Sequence, residues 1–259
     1  MLDGVSSIIF FHPGRLTRTL VSLPHFLVMA PNLVKLVYFQ NDNVTAAAMP
    51  LIEMSSLESV TTNFLALSNS FVTSFSAGRV NAPNLREVSL VSDGQDASVP
   101  LGNLLAANPT IRTLHMQGEF DPVGPTGAHI LFRDAPPLHT LVVSRASRKF
   151  IEALSAADEN QSPLALPFLS CLKIECTRAW SANMTWTEFE TLFRSRCEIN
   201  QDDGLTCIGA QQLKHLTLIT HDVLTEKTRK AIGNRMKCIR HFESDRMLLF
   251  RWEAPPREA

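Results

Sequence analysis

The stretch from Ala82 to Leu90, APNLREVSL, joins a proline that cannot continue a helix to apolar residues at offsets 0, +3 and +5: Leu85, Val88 and Leu90. Alternation between Val88 and Leu90 is the pattern of a strand buried on one face. The offsets recur as Leu33/Leu36/Tyr38, Leu57/Val60/Thr62, Ile111/Leu114/Met116, Leu138/Leu141/Val143, Leu169/Leu172/Ile174 and Leu213/Leu216/Leu218, with Val5/Ile8/Phe10 as a first copy. Successive copies start 28, 24, 28, 26, 27, 31 and 44 residues apart. A period of this length is one supersecondary unit, repeated.

The proline recurs with the apolar triplet: APNL at Ala30 to Leu33 and again at Ala82, NPTI at Asn108, APPL at Ala135 and LPFL at Leu166. Proline lacks the N–H that a continuing helix needs and pushes its predecessor toward extended geometry. Each one is therefore read as a helix stop before a strand. Between strands, RLTRTLVSLPHFLVM, VTAAAMPLIEMSS, LGNLLAA, SRKFIEALSAA and WTEFETLFRSRCE carry apolar residues three and four apart, with Pro24 and Pro50 kinking the first two. A short strand plus a helix cannot bury its apolar face alone and must stack on its neighbours.

This pattern resembles the leucine-rich repeat family, in the degenerate form of ribonuclease-inhibitor-like and F-box-associated repeats, over about residues 5–219. The resemblance implies an α/β solenoid of irregular repeats, with a curved parallel sheet on the concave side and helices on the convex side. The whole chain, 1–259, is then a single domain, with a C-terminal cap at about 221–252 and a frayed tail at 253–259. The cap is expected to hold a helix and an edge strand around Cys238 to Phe242. The family's Asn or Cys after the strand is mostly missing, and Thr62 stands where an apolar residue belongs.

The segment Trp186 to Glu198, with its tripeptide Ser195-Arg196-Cys197, resembles the terminal part of fungal (basidiomycete) F-box-type leucine-rich repeat proteins. No F-box is recognisable: LPHFLVMAPNLVKL from Leu23 starts with Leu-Pro but is already occupied by a repeat. The competing architecture is a doubly wound α/β enzyme with an unrecognised active site. That fold would need Gly-rich strand-to-helix turns for a nucleotide, and neither G-x-G-x-x-G nor a Walker-type loop is present.

With 24 Lys plus Arg against 25 Asp plus Glu, the chain has no charge bias toward nucleic acid or an anionic membrane. Five cysteines without a C-x-x-C pair fit reduced thiols, and hence a cytoplasmic or nuclear location. No apolar run reaches the roughly 18 residues of a membrane helix, and the N-terminus has an acid where a signal peptide carries a base.

Recognisable catalytic chemistry is missing: there is no H-E-x-x-H, no His/Cys set at zinc spacing and no G-x-S-x-G. His115, His139 and His215 fall at offsets +4, +1 and +2 of their repeats and so form no file. Cys171 and Cys176 read as buried inert thiols, and Asp202-Asp203 as a solvated turn. The expectation is a non-enzyme with no cofactor and no metal.

Positive information sits between the leucines. Offsets +2, +4 and +6 lie opposite the apolar face of each strand. From them come the candidate contact residues Lys35, Phe39, Asn63, Glu87, His115, Gln117, Lys173, Glu175 and His215. The resemblance implies a protein or peptide partner on this concave face, as in the substrate-recognition repeats of an F-box-type ubiquitin ligase receptor. A ligase adaptor would join only through an F-box outside this chain.

Overall fold

A computed structural model describes residues 4–12, 27–40, 51–63, 80–91, 98–117, 132, 135–146, 148–156, 165–176, 189, 191–192, 195–196, 213–220, 237–242 and 247–253. The chain divides into two compact units, Met1–Gly118 with Ile130–Pro136, and Glu119–His129 with Pro137–Ala259. The class is α/β with predominantly parallel strands. No helix among the described residues is long and apolar enough to cross a membrane.

In the first unit, strands β1 (Ser7–His12), β2 (Lys35–Gln40), β4 (Ser59–Asn63), β6 (Glu87–Val91) and β7 (Thr113–Gln117) lie side by side, all parallel. Two short strands, β3 (Ile52–Glu53) and β5 (Val80–Asn81), pair separately. In the second unit, β8 (Thr140–Ser144), β9 (Cys171–Cys176) and β10 (His215–Thr220) are parallel. There β12 (Met247–Glu253) runs antiparallel to β10, and β11 (Lys237–Phe242) runs antiparallel to β12.

The apolar triplets are the core. Every residue of the seven triplets from Leu33 to Leu218 is buried, none more than 5% exposed. Strand register aligns them across neighbours: Ile8, Leu36, Val60, Val88 and Leu114 form one row, and Phe10, Tyr38, Thr62, Leu90 and Met116 the next. In the second unit Leu141, Leu172 and Leu216 align, as do Val143, Ile174 and Leu218. Each buried aliphatic side chain contributes about 1.5–3 kcal/mol, so these rows dominate the favourable side of folding. Val5/Ile8/Phe10 belongs to the same register through β1.

A second backbone feature repeats with the leucines. The carbonyl of the residue after the first leucine position accepts two successive N–H groups from the next repeat. Ser6 O accepts from Val34 and Lys35, Val34 O from Glu58 and Ser59, Glu58 O from Arg86 and Glu87, and Arg86 O from Arg112 and Thr113. In the second unit His139 O accepts from Ser170 and Cys171, and Ser170 O from Lys214 and His215. Two donors converging on one oxygen bend the chain at offsets +1 and +2, which lets offset 0 point inward although it is out of phase with +3 and +5.

Before five of the triplets, a tight turn is closed by a bond to the residue three back. Leu33 N–H donates to Ala30 O, Leu57 to Met54, Leu85 to Ala82, Ile111 to Asn108 and Leu169 to Leu166, at 3.0–3.2 Å. Proline suits the second position of such a turn because its φ is already near the required value and no N–H is needed there. This corrects the reading of Pro83 as a helix stop. The residues before it form β5, not a helix, and the equivalent turn at Met54 is made without proline. Residues 52–53 of the expected helix VTAAAMPLIEMSS are likewise strand; its residues 44–50 lie outside the described residues.

Other helical expectations hold where residues are described. Helix α1 (Ser98–Ala107) has Pro100 in its first turn, where no N–H is missed, and buries Leu101, Leu104 and Leu105. Buried Asn108 ends it, donating its side-chain amide to the Leu104 carbonyl at 2.9 Å. Helix α2 (Arg148–Ser155) buries Phe150, Ile151 and Leu154. Residues 27–29, 189, 191–192 and 195–196 are also helical, inside two of the predicted segments.

In the second unit the buried Arg196 guanidinium donates to the carbonyls of Leu154 (Nε, 2.8 Å), Leu166 (Nη1, 3.1 Å) and Ala165 (Nη2). Its own carbonyl accepts from Leu213 N–H at 3.3 Å. One residue thus ties the end of α2, the turn before β9 and the start of the Leu213 triplet. The expected edge strand at the C-terminal end is present as β11, while the expected capping helix before it lies outside the described residues.

Candidate functional site

Opposite the buried rows, each parallel strand presents offsets +2, +4 and +6, and these are exposed or half-buried wherever their side chains are described, except Ser89. Ser89 is 7% exposed, a small hydroxymethyl in register between Thr61 and His115. Burial alternates because a strand turns successive side chains to opposite faces. The nine candidate residues therefore all lie on the side away from the core: Lys35, Gln117 and His215 exposed, and Phe39, Asn63, Glu87, His115, Lys173 and Glu175 half-buried.

In the first unit, one row reads Ser7, Lys35, Ser59, Glu87 and Thr113, and the next Ile9, Val37, Thr61, Ser89 and His115. A third brings together Asn63, Val91 and Gln117, while Phe39 stands beside Phe11. Lys35 and Glu87 share a row but are separated by a strand, about 9.6 Å at the usual strand spacing. The Ser59 position lies between them. The apolar residues collect toward β1, where Ile9 is 63% exposed, and the polar ones toward β7.

In the second unit the rows are Thr140, Cys171, His215 and Glu253; Val142, Lys173, Thr217 and Arg251; and Ser144, Glu175, Ile219 and Leu249. Glu175 is held from β8: Ser144 Oγ donates to Oε2 at 3.5 Å, and Arg145 N–H donates to its carbonyl at 2.7 Å. Arg145 takes a left-handed conformation there, φ 64°. Backbone register also sets Arg251 and Glu253 of β12 beside Thr217 and His215, positions not among the sequence candidates. The apolar run MLLFRWE was a usable strand signal, but its antiparallel return beside β10 has no local signature.

Cys171 corrects a second expectation. It is a free, half-exposed thiol on the open face, in register with His215, rather than a buried one. Partial burial pushes its pKa up, which disfavours the thiolate that a nucleophile or metal ligand requires. The side chain of Cys176 lies outside the described residues.

Among the described residues, no group of three or more His, Cys, Asp or Glu side chains is placed to hold a metal ion. Most rows mix a few titratable groups with hydroxyls, amides or aliphatics, an arrangement suited to contacting an extended surface. No family model, curated protein or solved structure matches the chain.

Proposed function

We propose that the chain is an irregular leucine-rich-repeat solenoid and acts as a non-catalytic scaffold for protein–protein interaction. In this reading it resembles the substrate-recognition repeats of an F-box-type ubiquitin ligase receptor. The observation that carries the proposal is the combination of buried triplets in strand register with the double N–H acceptance at the starts of β2, β4, β6, β7, β9 and β10. Within each unit, neighbouring repeats thereby turn the same outward positions to one face of their parallel strands. Those positions hold isolated charges, hydroxyls, amides and a few apolar groups, which suits a protein or peptide laid across several strands. A small ligand would instead favour an enclosed concave pocket with convergent polar groups.

The test is affinity purification with the intact chain, followed by the same capture with His115→Ala and Lys173→Glu. Recovery of a stable protein partner that is lost on either substitution, with thermal stability unchanged, supports the scaffold. Partners indifferent to both substitutions, or an activity retained without any protein partner, would overturn it.

A further inference from the structure

We draw no further inference here: the strongest candidate, the apolar outward side of the edge strand β1 with exposed Ile9 beside Val37, is an unpartnered sheet face, and nothing in the structure shows what covers it.

Discussion

Leu166 sits at φ 49°, a backbone conformation that side chains other than glycine rarely adopt, and its carbonyl accepts a hydrogen bond from the buried Arg196 guanidinium at 3.1 Å. The left-handed conformation costs roughly 1–2 kcal/mol, and persists where surrounding contacts offset it. Arg196 supplies such contacts, since the same side chain also engages the carbonyls of Leu154 and Ala165.

Removing that guanidinium takes its donors from the buried Leu154 and Ala165 carbonyls, at about 1–3 kcal/mol each, and leaves Leu166 with its turn partner Leu169 alone. Arg196→Met is expected to lower unfolding free energy by about 2 kcal/mol or more in urea titration. Arg196→Lys, with one ammonium in place of a planar fork, should fall between it and the parent chain. A loss below about 1 kcal/mol for Met would mean that the guanidinium does not pin these segments.

Arg145 is the exposed counterpart, left-handed at φ 64° at the end of β8. Glycine adopts this conformation without a Cβ penalty, so Arg145→Gly should stabilise by about 0.5–1 kcal/mol. Arg145→Val, β-branched, should do the opposite. Melting temperatures of the two variants moving in the same direction would contradict this assignment of strain.

Thr62 is fully buried in the row between Tyr38 and Leu90, and its Oγ1 has no hydrogen-bond partner among the described residues. An unpaired buried hydroxyl costs about 1–3 kcal/mol. Thr62→Val, the same shape without the hydroxyl, should raise the urea midpoint with an unchanged slope. Destabilisation would show that the hydroxyl is satisfied.

The two faces of β7 predict opposite responses from adjacent residues. Leu114 is 0% exposed, and Leu114→Ala should cost about 2–5 kcal/mol through lost burial and a cavity. His115→Ala, on the outward face, should stay within about 0.5 kcal/mol of the parent chain. Equal effects on equilibrium unfolding would mean that the strand is not one-sided.

Burial raises the pKa of both the Cys171 thiol and the Tyr38 hydroxyl. In each case the folded state holds its proton to higher pH than the unfolded state. The folded state is therefore favoured below the unfolded pKa, about 8.5 for a thiol and 10 for a phenol. That contribution is lost as pH rises through the folded values. Of these two groups, Cys171 acts at the lower pH. Maleimide labelling of the Cys171 peptide, followed by mass spectrometry, should reach half its maximal rate at a higher pH in the folded chain than in the urea-unfolded chain. A folded-state midpoint at or below the unfolded one would contradict the desolvated thiol.

The core was legible because burial follows a short-range rule. An apolar residue at +3 and +5 must face the same side of a strand, so Leu85, Val88 and Leu90 announce their own packing, as do their counterparts in each repeat. Outward residues such as Lys35 and His115 followed by subtraction. The turn at Pro83 was misread because proline is compatible with both a helix end and the second position of a tight turn. The preceding residues choose between them, and Val80–Asn81 chose a strand by pairing with Ile52–Glu53.

From the sequence alone came the period, the inward positions of the seven triplets, the outward candidates between them and the α/β class, all consequences of side-chain chemistry read over a few residues. Tertiary structure decided what depends on partners distant in the chain. It set Lys35 and Glu87 in one row with Ser59 between them, left Cys171 half-exposed beside His215, and returned β12 antiparallel against β10. It also spent Arg196 on the carbonyls of Leu154, Ala165 and Leu166, 30 to 42 residues away. Hydrogen bonds between such distant segments leave no periodic trace in the sequence, because either partner satisfies its donors or acceptors only once the chain between them has folded.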